Sequence, residues 1–254
     1  MTTVFDDNLL ALLRRLADKY ETADFLDGDP SWFMHQVSGR ENQEMMGFLA
    51  SVLSYGRRDL FFPKIQYMLD RSGGEPFRWV LERAYEQDIP DDDRCYYRLY
   101  NNRMMRRLLA ATQELLAAYG SLGGFVKAKS PSHTTLEALT ALSAHYLGHG
   151  IKGMVPSPRT SVAKRPCMFM RWMVRSDSPV DLGLWSTFID KNTLLIPMDT
   201  HVLQEARRLG LINSKSASWH TVEQLTDSLR EAFPGDPARG DFALFGVGVD
   251  DDNL

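Results

Sequence analysis

Two reactive side chains lie at the predicted starts of helices. Lys164 and Arg165 precede Pro166, and proline is favoured in the first turn of a helix. Asp199 directly precedes Thr200, where apolar residues resume helical spacing. A lysine amine can act as a nucleophile, and a carboxylate can accept a proton or balance a growing positive charge. The residue types alone equally permit a solvated Lys164 and an Asp199 that only caps its helix.

The segment from Ala138 to Ser176 contains no Asp or Glu. Its basic residues are Lys152, Arg159, Lys164, Arg165, Arg171 and Arg175. The whole chain carries a net charge of −4, so we do not expect a protein coated in positive charge. A local strip of this kind is typical of a surface that contacts phosphates, and a chance gap in acidic residues is the alternative.

The sequence argues against cofactors and membranes. Its two cysteines, Cys95 and Cys167, cannot supply the four thiolates of an iron–sulfur cluster, so we expect no cluster. His145 and His149 have the spacing of metal ligands on one helix face, but no zincin-like Glu accompanies them, so we expect no metal and no other cofactor. No apolar stretch reaches the roughly 18 residues of a membrane helix, and the first residues lack a signal-peptide pattern. We therefore expect a cytoplasmic protein.

These residues must be positioned by helices, because apolar residues recur at helical spacing through most of the chain and strand-like alternation is nearly absent. Besides helices around 45–53 and 104–119, we predict helices at 9–26, 58–69, 76–85, 134–147, 166–174, 200–209, 220–232 and 237–245. The breaks between them are short and carry turn residues rather than a flexible linker. The pattern predicts an all-α fold.

The most specific motif is the tetrapeptide Asp-Thr-His-Val at 199–202, continued by Arg-Leu-Gly-Leu at 208–211. It resembles the catalytic segment of the helix-hairpin-helix DNA glycosylases, the superfamily of endonuclease III and the 8-oxoguanine glycosylases. Residues 47–59 resemble the family's early helix, whose end lies next to the DNA lesion. Residues 241–248 resemble the C-terminal helix that packs beside the site.

The resemblance implies a two-lobed helix-hairpin-helix DNA glycosylase fold in a single unit, 1–254. One helical lobe would span roughly 30–150, and the other would combine 151–254 with 1–29. In bifunctional members a lysine at the start of the helix after the hairpin forms a Schiff base, and Lys164 fits that position. It precedes Asp199 by 35 residues, a separation that an insertion at 177–195 would explain. Lys191, in the loop before Asp199, is the competing nucleophile.

The hairpin departs from the family pattern. The usual Leu-Pro-Gly-Val-Gly is replaced by Val-Pro-Ser-Pro-Arg-Thr-Ser at 155–161, which contains no glycine. Glycine there lets backbone amides approach a DNA phosphate closely. The predicted DNA contacts are Tyr55, Arg57, Arg58, Ser157, Arg159, Ser161 and Arg165. The aromatic residues Phe169, Trp172 and Trp185 would stack on a flipped base, with a core position as the alternative.

The expected activity is therefore that of a monomeric DNA glycosylase with AP lyase activity. It would remove an oxidised base, such as 8-oxoguanine, from double-stranded DNA, with Lys164 as Schiff-base nucleophile and Asp199 as its activator. Two alternatives remain open. One is a non-catalytic module that binds DNA or senses lesions on the same scaffold, and the other is a helical interaction protein with no role in nucleic-acid binding.

Overall fold

We describe a computed structural model of the chain, which covers residues 6–251. The helices are α1 Asp7–Tyr20, α2 Arg40–Leu53, α3 Arg58–Ser72, α4 Pro76–Leu81, α5 Tyr85–Asp88, α6 Asn102–Tyr119, α7 Leu122–Lys129, α8 Thr135–Gly148, α9 Lys164–Val174, α10 Thr200–Arg208, α11 Trp219–Ala232 and α12 Gly240–Asp251. Short 3-10 helices cover Ala23–Leu26, Pro30–His35, Lys191–Thr193 and Pro237–Arg239. The structure confirms the predicted all-α class.

The structure differs from the predicted elements at three places, among others. The first helix ends at Tyr20, and a separate 3-10 turn follows at Ala23–Leu26. The predicted helix at 76–85 is broken by Arg83, whose φ of 61° is left-handed, so that α4 and α5 are separate. The structure also contains a small antiparallel hairpin of β1 (Cys95–Tyr97) and β2 (Tyr100–Asn101), which is too short to show periodicity in the sequence.

The chain divides into two compact units. The described part of the first unit comprises 6–25 and 158–251, and the second unit is Leu26–Ser157. In the second unit α2 is almost wholly buried from Glu44 to Leu53. The Glu44 carboxylate accepts the backbone N–H groups of Leu122 and Gly123, each at 2.9 Å. An α2 side chain thus satisfies the first amides of α7, which have no partner within their own helix.

In the first unit α1 and α10 both pack against α12. Helices α1 and α12 approach closely at Gly246, where an added Cβ would lie 2.0 Å from the Tyr20 ring. Helix α9 is buried at every residue from Pro166 to Val174. The residues at its N-terminal end therefore have a fixed position, since nearly every following side chain of the helix is packed.

None of the helices in the described part of the chain is both long and apolar enough to cross a membrane.

Candidate active site

Lys164 and Asp199 meet at the N-terminal ends of two helices. Lys164 is the first residue of α9, and Asp199 is the residue that caps α10. The Lys164 Nζ donates a hydrogen bond to Asp199 Oδ2 at 2.7 Å. The two side chains are 37% and 32% exposed, so the pair is partly desolvated but open to a reactant from solvent.

The Asp199 carboxylate is held in the ionised form. Burial alone would raise its pKa, but the Lys164 charge and hydrogen bond, the Val202 amide and the nearby His201 outweigh burial and bring the pKa below its ordinary 3.8. Its Oδ1 accepts the Val202 N–H at 2.9 Å, so the carboxylate also lies at the positive end of α10. An ionised Asp199 at neutral pH is the form that can accept a proton.

The backbone around both residues is fixed by packing. Leu194 to Met198 are all buried before Asp199, and the Ile196 N–H donates to Thr226 Oγ1 of α11 at 3.1 Å. On the far side, α10 buries Val202, Leu203 and Ala206. Asp199 therefore has buried residues both before and after it in the chain, and this packing holds its position relative to Lys164.

This arrangement suits nucleophilic attack by an amine. The Lys164 amine reacts only when it has lost a proton, and Asp199 Oδ2 is already hydrogen-bonded to the atom that must lose it. Once Lys164 is neutral, its lone pair can attack an electrophilic carbon. The carboxylate can also stabilise positive charge that develops on that carbon.

The competing lysine has a different partner. Lys191 is the first residue of the 3-10 helix Lys191–Thr193, and its Nζ lies 3.7 Å from Asp236 Oδ2. With Arg14 and Asp236 it lines an open cavity of about 380 Å³. The structure thus pairs Asp199 with Lys164 and Lys191 with Asp236.

The turn before α9 has the backbone shape that glycine would favour, although it contains none. Arg159 adopts a left-handed φ of 65° and Ala163 a φ of 44°. The Ser161 hydroxyl accepts the Ala163 N–H at 3.1 Å. Ala163 supplies no side-chain cap to α9. The structure places Arg159, Ser161, Lys164 and Arg165 in one unit at this end of the helix.

Ser157 belongs to the other unit. It ends that unit and accepts a 3.4 Å hydrogen bond from the Ser143 hydroxyl.

The predicted basic strip is wrong for two of its members. Arg171 and Arg175 are each only 2% exposed. Arg171 pairs with Asp181 and Asp241, and Arg175 pairs with Asp181, Asp236 and Glu21. Asp181 lies just beyond the acid-free segment, and the other acids lie far from it in sequence, so an acid-free segment did not mean unpaired arginines. Lys152 and Arg159 are exposed, while Lys164 and Arg165 are half-buried.

The aromatic residues predicted to stack on a flipped base lie in the core. Phe169 is 1% exposed, and Trp172 and Trp185 are fully buried. The Phe169 and Trp185 rings pack edge to face with centroids 5.2 Å apart. None of the three presents a ring face to a base in this conformation, which corrects the prediction and agrees with the core alternative.

The residues predicted to face the lesion lie in the second unit. The Tyr55 ring is half-buried and packs against Tyr97 and Tyr100, with centroids 5.0 and 5.3 Å away. Arg57 and Arg58 are exposed at the start of α3, and Arg57 pairs with Asp59 at 2.6 Å.

The sequence did not single out the neighbouring hairpin turn, which carries Arg98 and Leu99. Leu99 is 82% exposed. The closely spaced tyrosines at 96, 97 and 100 are the signal that could have identified this segment.

A cluster of three or more His, Cys, Asp or Glu side chains suited to a metal does not occur among residues 6–251. His145 Nε2 is 2.8 Å from the Ala111 carbonyl, and His149 Nε2 is 2.9 Å from Glu114 Oε2. Both rings thus have protein partners.

Comparison with known proteins gives a family without an assigned activity. The model of the family DUF2400, a protein of unknown function, matches residues 29–250. Since the match spans most of the chain, the chain belongs to this family. No curated protein and no solved structure matches it.

Proposed function

We propose that this member of the DUF2400 family is a DNA base-excision enzyme with the two-lobed helix-hairpin-helix glycosylase fold. It removes an oxidised base from double-stranded DNA through Schiff-base chemistry and then cleaves the strand as an AP lyase. The observation that carries the proposal is the 2.7 Å contact between Lys164 Nζ and Asp199 Oδ2. The glycosylase motif at 199–202 supports it, because its aspartate is the one that contacts the lysine.

The chemistry follows from the geometry of the pair. The damaged nucleotide is first flipped out of the duplex, which costs roughly a few kcal/mol. Asp199 accepts a proton from Lys164, and the neutral amine attacks the anomeric carbon of the sugar. The bond from nitrogen to carbon forms as the glycosidic bond breaks, and the base leaves with the bonding electrons and takes up the proton that Asp199 had accepted. Ring opening moves a proton from the nitrogen to the ring oxygen and gives an imine. Loss of a C2′ proton to the now ionised Asp199 or to water, with departure of the 3′ phosphate, then cleaves the strand.

The surroundings of the pair suit a phosphate backbone. Arg159 is exposed, and Ser161 and Arg165 are half-buried at the start of α9. The N-terminal end of a helix favours an anion through its exposed amides and its dipole. DNA phosphates flanking the flipped nucleotide would be held there while Lys164 reacts.

Borohydride trapping tests the proposal directly, because borohydride reduces an imine to a stable protein–DNA adduct. We expect an adduct with some duplex that carries an oxidised base or an abasic site. Lys164→Gln should abolish the adduct, and Lys191→Gln, the matched control on the competing lysine, should retain it. An adduct that survives Lys164→Gln but not Lys191→Gln would move the nucleophile to the loop.

One observation favours a second candidate, a non-catalytic module that binds DNA or senses lesions. The residues expected to hold a flipped base, Phe169, Trp172 and Trp185, are all in the core. Salt-sensitive duplex binding, with no adduct on any of a set of duplexes that carry oxidised bases or abasic sites, would support this candidate. Undetectable duplex binding at low salt would contradict both candidates.

A further inference from the structure

The turn between β1 and β2 carries an arginine whose charge is not paired with a carboxylate among residues 6–251. Arg98 is exposed and adopts a left-handed φ of 52°. Two exposed arginines nearby are paired with carboxylates, since Arg57 lies 2.6 Å from Asp59 and Arg94 lies 2.6 Å from Asp92. Unlike Arg57 and Arg94, Arg98 can therefore bind an outside anion without leaving a carboxylate.

The Arg98 side chain rests on Tyr55 and Gly56. Its guanidinium carbon lies 5.4 Å from the centroid of the Tyr55 ring, a cation–π contact. An added Cβ at Gly56 would lie only 2.4 Å from Arg98 Nη1. Gly56 also has a left-handed φ of 82°, so both the space and the backbone at this position favour glycine. The absence of a side chain at Gly56 is what lets the guanidinium lie so close to the turn.

Hydrogen bonds connect Tyr55, on which Arg98 rests, to the hairpin residues Tyr97 and Leu99. The Tyr97 hydroxyl donates to the Tyr55 carbonyl, and the Tyr55 hydroxyl donates to the Tyr97 carbonyl at 3.5 Å. The Leu99 N–H donates to the Tyr55 hydroxyl at 3.4 Å. These bonds hold Tyr55 and the turn backbone, whereas the Arg98 guanidinium contacts the Tyr55 ring and the Tyr97 side chain.

We propose that Arg98 is a DNA-contacting residue that exchanges its position over the Tyr55 ring for a backbone phosphate of the duplex. This inference rests on the proposed function and adds a contact in the unit that does not contain Lys164. A guanidinium presents a planar set of donors that matches phosphate oxygens. An exposed guanidinium without a carboxylate partner breaks no ion pair when it moves to a phosphate. The contact is to the backbone, so it contributes affinity without reading sequence.

The test uses the full chain and a duplex with a tetrahydrofuran abasic analogue, with affinity measured over a range of salt concentrations. Arg98→Gly removes the side chain and suits the left-handed turn, so the hairpin should fold normally. We expect affinity at low salt to fall several-fold and the slope of log K against log salt to decrease in magnitude by about 0.9, the value for one phosphate contact. Arg98→Lys should restore the slope.

Arg94→Ala is the matched control, because Arg94 lies on the same hairpin but is already paired with Asp92. It should change neither affinity nor slope. Parental affinity and slope in Arg98→Gly, while the parent protein binds the duplex and forms the borohydride adduct, would overturn this inference alone. A parent protein that neither binds nor is trapped would overturn the proposed function and this inference together.

Discussion

The two oxygens of Asp199 serve different partners. Oδ2 accepts the Lys164 ammonium at 2.7 Å, and Oδ1 accepts the Val202 backbone N–H at 2.9 Å. The first contact links α9 to α10 through a reactive amine, and the second caps α10. The proposed chemical role and the structural role of this side chain can therefore be separated by substitution.

Asp199→Asn should remove turnover and leave the fold nearly intact. Asparagine is close in shape and is itself a good N-cap, so the bond to Val202 can persist. It carries no charge and cannot accept the Lys164 proton, so single-turnover base release should slow by at least about 10²-fold. Melting temperature, duplex affinity and base release measured on both proteins check the prediction.

Asp199→Ala is the companion variant, because it removes the cap as well as the charge. It should lose about 1 kcal/mol of stability in addition to turnover. An Asp199→Asn protein that releases base at the parental rate would show that Asp199 only caps α10.

The double variant Arg159→Ala with Arg165→Ala should weaken duplex binding. Both residues lie beside Lys164 at the start of α9, and the salt slope should decrease in magnitude by about 0.9 for each phosphate that the variant no longer neutralises. Arg207→Ala, an exposed arginine in the last turn of α10, serves as the control and should bind normally. Unchanged affinity and slope in the double variant would mean that this end of α9 does not bind DNA.

Asp181→Asn should destabilise the first unit strongly. The Asp181 side chain has no exposed surface and contacts both Arg171 and Arg175. Loss of its charge leaves two buried guanidiniums with fewer partners, at a cost of about 3 kcal/mol. Urea unfolding measures the change. The control is Asp227→Asn, because Asp227 pairs with Arg230 at the surface, and it should change the free energy of unfolding little. Equal losses of stability in the two variants would argue against a special role for burial.

Glu21 should make the stability of the protein sensitive to acid. Burial alone would raise its pKa, but the charge of Arg175 and the hydrogen bonds from Arg239 and Arg175 outweigh burial, so its pKa in the folded protein is below the ordinary 4.5. A lowered carboxyl pKa stabilises the folded state above the unfolded pKa, and this contribution is lost as the pH falls through the folded pKa.

The parent protein should therefore exceed Glu21→Gln in unfolding free energy at neutral pH, and the difference should shrink as the pH drops below 4.5. Urea titrations at several pH values measure it, with the exposed Glu41→Gln as the control. A difference that stays constant down to strongly acidic pH would contradict the assignment of Glu21 as an ion-paired carboxylate.

Glu44→Gln should destabilise the second unit. Each Glu44 oxygen accepts one N–H at the start of α7, and a glutamine would place an NH₂ group against one of those donors. A buried donor without a partner costs about 1–3 kcal/mol. The half-buried Glu137 accepts the Ser132 N–H at 2.8 Å in a hydrogen bond that is exposed to solvent. Glu137→Gln is therefore the control and should change the urea midpoint less.

The sequence by itself determined the elements that begin at Lys164 and Thr200. Helical spacing, a proline in a first turn and an aspartate before a helix are local signals, and each acts within a few residues. The all-α class and the capping role of Asp199 follow from them. The same signals could not place the short hairpin, because a strand of two or three residues shows no period.

Only the tertiary structure decided which charges meet. Lys164 and Lys191 both precede Asp199 in sequence, yet packing brings Lys164 to Asp199 and Lys191 to Asp236. Arg175 became a buried residue for the same reason, because its partners lie up to 154 residues away at Glu21. An ion pair forms where folded segments approach one another, and that approach depends on the packing of the whole core rather than on spacing along the chain.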